Sequence, residues 1–408
     1  MAHYGLLGET LGHSYSPEIH RLLTGCDYDL CPTPPEAVED FVRKGGYDAF
    51  NVTIPYKKTI VPFCDVLSPM AQRLGSVNTV VRRADGTLYG DNTDYFGFRW
   101  LMEHAEINPT GQKCLILGSG GASVTVRAVL EDLGAAEIVT ISRSGENNYA
   151  NLDRHANAGI IVNTTPVGMY PDNDAAPLSL EGFPSLLGVV DIIYNPARTR
   201  LLQQAADMGI PCANGLAMLV AQAHRAAELF TSETLDSAKI PAVTAQIDAQ
   251  SRNIALIGMP GSGKSTTGKA LAKALGRKFI DLDEELVRRA GRSIPDIFAA
   301  DGEAVFRQME TEVVRDICRS SGLVIATGGG VVTQERNRYP LRQNSHVVFL
   351  RQPDLSALPT EGRPLSQNGN LSEMAKIRLP LYNAWCDVKA DAIGVDATVA
   401  MIREALGI

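Results

Sequence analysis

Gly258-Met-Pro-Gly-Ser-Gly-Lys-Ser265 is a complete G-x-x-x-x-G-K-[ST] phosphate loop, preceded by the apolar run Asn253-Ile-Ala-Leu-Ile257 and followed by a helix-like stretch over residues 266–275. The strand–loop–helix context matters as much as the motif. Backbone N–H groups of the turn surround phosphates, Lys264 reaches the outer ones, and the Ser265 hydroxyl can ligate Mg²⁺. Working back along the chain, Lys113-Cys-Leu-Ile-Leu117 runs into Gly118-Ser-Gly-Gly-Ala122 and a second helical stretch over 123–133. This is a strand, tight turn and helix N-terminus of the dinucleotide-binding type, which places a pyrophosphate at the positive end of a helix. The chain therefore carries the grammar of an ATP site and of a nicotinamide site, and two jobs are expected of it.

Its 408 residues correspond to about 2.7 units at one domain per ~150 residues. A 45% hydrophobic and 21% charged composition is that of an ordinary globular chain. The net charge of −8 argues against nucleic-acid partners, so an anionic substrate must be met by local cations. Seven scattered cysteines form no C-x-x-C and read as buried or free thiols of a reducing cytoplasm. No run of 18 apolar residues occurs, and the first residues lack a basic stretch followed by an apolar core. A membrane or secretory reading is not expected, and cytoplasmic localisation is.

Short apolar runs at 4–7, 49–54 and 77–81, with a helical segment at 34–44, predict a first α/β layer over residues 1–100. Runs at 115–117, 138–141, 160–163 and 189–193 predict successive buried strands of a Rossmann-like domain over 101–230, closed by an Ala-rich helix at 216–228. Residues 231–252 lack a strong period and read as an extended linker. A P-loop α/β domain with a parallel sheet, of the nucleoside-monophosphate-kinase type, is expected over 253–408.

Seven blocks stand in order in the first part: Gly12-His-Ser-Tyr-Ser-Pro-Glu-Ile-His20, Asn51-Val-Thr-Ile-Pro-Tyr-Lys57, Gly75-Ser-Val-Asn-Thr79, Gly90-Asp-Asn-Thr-Asp94, Asn163-Thr-Thr-Pro-Val-Gly-Met169, Asp191-Ile-Ile-Tyr-Asn-Pro196 and Gly215-Leu-Ala-Met-Leu-Val-Ala-Gln222. With them, residues 1 to about 230 resemble the shikimate dehydrogenase family. The resemblance implies NADPH-dependent reduction of 3-dehydroshikimate. Ser14 and Ser16 then hold the substrate carboxylate, while Thr53, Asn78, Tyr194 and Gln222 contact the polyol. Lys57 and Asp94 form the implied catalytic pair: the ammonium gives a proton to the developing alkoxide, and the carboxylate orients it and holds a ring hydroxyl. Asp94 is also placed to cap a helix starting near Tyr95.

The implied NADP contacts are Gly118, Ser119, Gly120, Gly121, Ala122, Ser142, Arg143, Ile192 and Gly215. Arg143 ends the run Ile138-Val-Thr-Ile-Ser-Arg143, where NAD enzymes carry an acidic residue, and suits a 2′-phosphate. The family's second cation is missing after it, Glu146 stands nearby, and Ser119 replaces the usual alanine. These departures bear on the strength of NADP preference. A quinate/shikimate enzyme using NAD is the alternative for this half.

The second part is similar to shikimate kinase, again by ordered blocks. After the phosphate loop come Phe279-Ile-Asp-Leu-Asp283, residues 297–310, Thr327-Gly-Gly-Gly330, Arg363-Pro-Leu365 and Arg378-Leu-Pro-Leu-Tyr382. The resemblance implies phosphorylation of shikimate by ATP with Mg²⁺, a reaction that asks chiefly for positioning and charge neutralisation. Gly261, Ser262, Gly263, Lys264, Ser265 and Thr266 would cradle the nucleotide, and Ser265 with Asp281 the Mg²⁺. Asp283, two residues further along the expected strand, would take the hydroxyl proton; Arg307 and Arg378 would grip the carboxylate; Gly329 would let the backbone approach the ring; Arg363 would reach the phosphates from a lid. The lid segment 355–362 is short and lacks an upstream arginine, and Asn383 stands where the family often has glutamate; both bear on nucleotide affinity. A half retained as a non-catalytic sensing module is the remaining alternative, against which the intact Lys57, Asp94, Lys264 and Asp283 argue. A homo-oligomer is compatible with everything above.

Overall fold

The computed structural model describes residues 2–12, 14–352 and 371–408. Arg363 and the lid segment 355–362 lie outside the described residues. The chain divides into two compact units: residues 1–167, 176–194 and 204–247 form unit 1, and residues 168–175, 195–203 and 248–408 form unit 2.

Unit 1 opens with strands β1 (Tyr4–Gly8), β2 (Tyr28–Pro32), β3 (Ala49–Val52), β4 (Val66–Leu67), β5 (Thr79–Arg82) and β6 (Leu88–Asp91), in the sheet order β2-β1-β3-β5-β6-β4. β1 pairs in parallel with β2 and β3, whereas β3–β5 and β5–β6 are antiparallel. Helices α1 (Ser16–Thr24), α2 (Val38–Lys44), α3 (Pro69–Leu74) and α4 (Asp94–His104) accompany it. A second, wholly parallel sheet has β7 (Lys113–Leu117), β8 (Glu137–Ile141), β9 (Ile160–Asn163), β10 (Gly188–Asp191) and β11 (Cys212–Asn214) in the order β11-β10-β9-β7-β8. Its inner strands β7, β9 and β10 are buried runs rich in Val, Ile and Leu because both faces are covered, whereas the edge strand β11 is Cys-Ala-Asn. Helix α5 (Gly121–Asp132) joins β7 to β8, and the order reverses between β7 and β9, where such sheets bind their ligands.

Three later helices follow: α6 (Arg200–Asp207), α7 (Leu216–Thr231) and α8 (Lys239–Ser251). The expected extended linker at 231–252 is thus largely helical. Ile240, Val243 and Ile247 recur at helical spacing and are buried with Ile19, Leu23, Leu216 and Val220, and Lys239 Nζ donates to Leu23 O at 2.7 Å. Pro241 sits in the first turn, where its missing N–H is harmless.

Unit 2 is built on β12 (Asn253–Ile257), β13 (Phe279–Asp281), β14 (Val324–Ala326), β15 (Ser345–Arg351) and β16 (Val388–Asp391), all parallel in the order β13-β14-β12-β15-β16. Around it lie α9 (Lys264–Leu275), α10 (Leu282–Ala290), α11 (Ile294–Cys318), α12 (Arg338–Gln343), α13 (Leu371–Trp385) and α14 (Val395–Leu406). The two short segments 168–175 and 195–203 are fastened into this unit. Arg198 makes a bidentate pair with Asp387, both bonds 2.8 Å, and donates to Ser345 O at 2.7 Å. Burial disfavours the Asp387 charge, yet the Arg198 guanidinium and the Val347 N–H hold its carboxyl below the usual range. Asn173 Nδ2 meets Gln343 Oε1, and Tyr339 OH meets Asn173 O.

No helix among the described residues is long and apolar enough to cross a membrane.

Candidate active sites

The first site gathers where β3, β5 and the start of α4 converge, around a cavity of about 190 Å³ lined by Ser14, Ser16, Thr53, Lys57, Asn78, Asp94, Ile192, Tyr194, Gly215 and Gln222. Lys57 Nζ donates to Asp94 Oδ2 at 2.6 Å, and Asn78 Nδ2 donates to Asp94 Oδ1 at 2.9 Å. Both carboxylate oxygens are therefore engaged, and the ammonium is pinned beside the cavity. Asp94 does not cap the helix. Thr93 holds the N-cap position without a side-chain cap bond, and Asp94 is the first residue of α4, where its charge still faces the positive helix end.

Gln222 reaches this site because α7 passes close against α4. A Cβ on Gly97 would lie 2.5 Å from Met218 O and 2.9 Å from Gln222 Cβ, so only glycine permits the approach. Ser16 begins α1, with Pro17 in its first turn, and its N–H donates to Ser14 Oγ at 3.2 Å. That bond sets the two serines side by side. Tyr194 packs on Tyr15 with ring centroids 5.6 Å apart, and burial pushes its phenol above the usual range. Two residues not anticipated as part of the site, Thr79 and Thr93, lie beneath it, with Thr93 N donating to Asn78 Oδ1 at 2.7 Å.

The dinucleotide turn leaves β7 at Gly118, whose φ of +101° suits glycine, and Gly120 caps α5. A Cβ on Gly120 or Gly121 would meet nothing within 4 Å, so there is open space at the N-terminus of α5, the helix end that suits a pyrophosphate. Ser119 is exposed, Ala122 half-buried, and Ser142 and Arg143 follow β8, where Ser142 Oγ donates to Ser144 O at 3.0 Å. Gly215 must be glycine: a Cβ there would lie 1.9 Å from Ile192 O. This donor set fits a dinucleotide phosphate.

The second site is a cavity of about 560 Å³ lined by Gly261, Gly263, Lys264, Ser265, Thr266, Asp281, Asp283, Arg307, Gly329 and Arg378, among others. Gly261 and Gly263 have φ of +83° and +86°, the conformation the phosphate loop requires. Lys264 Nζ donates to Gly258 O and Met259 O at 3.0 and 2.8 Å, and Ser262, within the loop, is buried. Ser265 Oγ donates to Asp281 Oδ2 at 2.6 Å. A hydroxyl and a carboxylate so paired fit Mg²⁺, which takes few protein oxygens and completes its shell with water and phosphate. Among the described residues no cluster of three or more His, Cys, Asp or Glu side chains could hold a metal.

Asp283 is not on the strand. β13 stops at Asp281, whose Oδ1 caps α10 by accepting from Asp283 N at 3.0 Å and Glu284 N at 3.4 Å. Asp283 enters the site from the first turn of α10, its Oδ1 2.8 Å from where a Gly328 Cβ would be. Arg307 and Glu310, three apart on α11, pair at 2.9 Å while nearly fully buried, and Arg307 also bonds Glu303. Sequence reading left Glu310 without a role. Burial pushes its carboxyl up and Arg307 pulls it back, so it holds the Arg307 fork in place. Arg378 N–H and Tyr382 O–H both donate to Gly329 O. Gly329 packs against Pro260, and a Cβ on Gly330 would strike the Arg307 guanidinium at 2.4 Å.

Residues 6–80 match the family model of the shikimate dehydrogenase substrate-binding domain, and residues 260–402 that of shikimate kinase. A shikimate dehydrogenase (NADP(+)) of Clostridium perfringens strain 13 is 36% identical over 254 residues, covering 57% of this chain and 93% of that protein. Among solved structures, a chorismate mutase/shikimate 5-dehydrogenase fusion protein from Clostridium acetobutylicum superposes with a TM-score of 0.57 at 32% identity, over 60% of this chain and 97% of that one. The shikimate 5-dehydrogenase of Thermus thermophilus in complex with NADP(H) and shikimate gives 0.55 at 31%, over 60% and 99%. The chain belongs to the shikimate dehydrogenase family and carries, fused after that part, a shikimate kinase domain.

Proposed function

We propose that this bifunctional enzyme works on one ring twice, reducing 3-dehydroshikimate to shikimate in unit 1 and phosphorylating the shikimate 3-hydroxyl in unit 2. The observation that carries the reading is the 2.6 Å Lys57–Asp94 pair in a cavity that also holds Ser14 and Ser16. NADPH, when bound, supplies the hydride to the carbonyl carbon. Lys57 gives its proton to the oxygen as negative charge develops there, and Asp94 keeps the ammonium aimed. Ser14 and Ser16 offer hydroxyl donors to the carboxylate. In unit 2, ATP with Mg²⁺ supplies the phosphoryl group. Asp283 takes the proton from the attacking hydroxyl, Lys264 neutralises phosphate charge, and Arg307 and Arg378 hold the carboxylate.

Purified protein given 3-dehydroshikimate, NADPH and ATP should consume one NADPH for each shikimate 3-phosphate formed. NADPH loss without phosphorylation of shikimate, or the reverse, overturns the two-step reading.

Cofactor choice rests on Arg143, exposed after β8. Arg143→Ala should weaken NADPH by about 10- to 100-fold, the worth of one charge-assisted contact, and leave NADH nearly unchanged. Paired KM measurements with the two cofactors check this; equal losses would assign Arg143 to structure alone.

A further inference from the structure

We infer that Thr93, together with Asn78, fixes which way round the Gln222 amide lies, so that Gln222 meets its substrate as a hydrogen-bond donor. The inference rests on the dehydrogenase reading of the first site. Thr79 and Thr93 are fully buried, with 0% and 1% exposure, and each hydroxyl has one hydrogen to give. Asn78 Oδ1 accepts from Thr93 N at 2.7 Å and from Thr79 Oγ1 at 3.0 Å, with the Thr93 hydroxyl a third donor at 3.2 Å. Thr79 Oγ1 in turn accepts from Asn51 Nδ2 at 3.0 Å. The Thr93 hydroxyl stands 3.2 Å from each of Asn78 Oδ1, Thr79 Oγ1 and Gln222 Oε1. Asn78 Oδ1 already holds two shorter donors and Thr79 Oγ1 holds Asn51, so Gln222 Oε1 is the acceptor that gains most from its hydrogen. That same oxygen also accepts from Asn78 Nδ2 at 3.4 Å.

Gln222 Oε1 thus has both acceptor positions taken by protein donors. Reversing the amide would set its NH₂ against Asn78 Nδ2, donor to donor, and its oxygen against Leu219 O, to which Nε2 now donates at 3.1 Å. One N–H of Gln222 remains, on a side chain that lines the cavity. Asp94, an acceptor, lines the same cavity. Gln222 therefore adds a neutral donor to a pocket whose charged acceptor is Asp94, a polarity that sorts hydroxyls by position. Thr93 touches neither substrate nor cofactor in this scheme; it is a positioning residue.

Thr93→Val removes the hydroxyl at nearly constant volume. The KM for shikimate in the NADP⁺-reducing direction should rise about 3- to 10-fold, the net worth of one neutral hydrogen bond, with a smaller change in kcat. Thr93→Ser should restore the wild-type KM. In a Gln222→Leu background, Thr93→Val should add less than about 2-fold, because the two residues act as one unit. Should Thr93→Val prove insoluble, Thr93→Ala makes the same deletion with no added bulk and carries the same expectation. Additive losses in the double variant, or a Ser variant as impaired as the Val one, would overturn the inference. Wild-type protein that fails to reduce NADP⁺ with shikimate would instead refute the dehydrogenase reading beneath it.

Discussion

Asp94→Asn should lower kcat for 3-dehydroshikimate reduction by about 10²–10⁴, the range for loss of an acid–base partner. The geometry makes this substitution harsher than its small size implies. Asp94 accepts from Lys57 on one oxygen and from Asn78 on the other. An amide has one oxygen, so one of those donors must face an NH₂ group, and the charge that steadies the ammonium is lost. KM should change less, since Ser14, Ser16 and Gln222 still meet the substrate. Phosphorylation of added shikimate should continue at the wild-type rate, because Asp94 belongs to unit 1. A kcat for reduction within a few-fold of wild type would sink the catalytic assignment.

The mirror experiment is Asp283→Asn, which should cut shikimate phosphorylation by about 10²–10⁴ while NADPH oxidation proceeds unchanged. Asp283 stands beside the Arg307–Glu310 pair, and its charge is one of those bearing on the buried Glu310 carboxyl. The amide keeps the shape and loses the basicity, so ATP and shikimate KM should move less than kcat. Asp281→Asn is a different lesion. It strips charge from the partner of Ser265 Oγ while the asparagine oxygen still caps α10, so its expected signature is a raised Mg²⁺ requirement. Finding the Mg²⁺ signature in Asp283→Asn and not in Asp281→Asn would exchange the two roles.

The strands and turns were legible in the sequence because their signals are local. The phosphate loop, the Gly118 turn and the apolar runs of both parallel sheets each declare themselves within about ten residues. The site residues carried by ordered blocks were legible for the same reason: Ser14 and Ser16 share a turn, and Lys57 and Asp94 each end a recognisable string. What escaped reading depends on partners far away in sequence. Asp283 looked like a strand residue because β13 is only three residues long and nothing local marks where its capping aspartate takes over. Helix α8 hid behind Pro241 and a polar face, and only the burial of Ile240, Val243 and Ile247 against α1 and α7 reveals its period. Thr79 and Thr93 stand inside ordered blocks with no role of their own until Asn78 and Gln222, the latter 129 positions from Thr93, close the network. Gly97, Gly215 and Gly330 carry a similar lesson, since a close approach leaves no local trace.

The threading of segments 168–175 and 195–203 into unit 2 has a bearing on how the chain is made. Asn173 finds its partner 170 positions later, and Arg198 finds Asp387 189 positions later. At 5–20 residues per second, the ribosome delivers those partners roughly 10–40 s after the segments themselves emerge. Strands β10 and β11 both precede residue 343 in sequence, so every strand of the second sheet of unit 1 has been synthesised while both segments still wait, Arg198 without its carboxylate among them. Gene order here sets assembly order: the nascent kinase part closes a structure that the nascent dehydrogenase part has already begun, and translation speed across residues 204–387 fixes how long that closure is postponed.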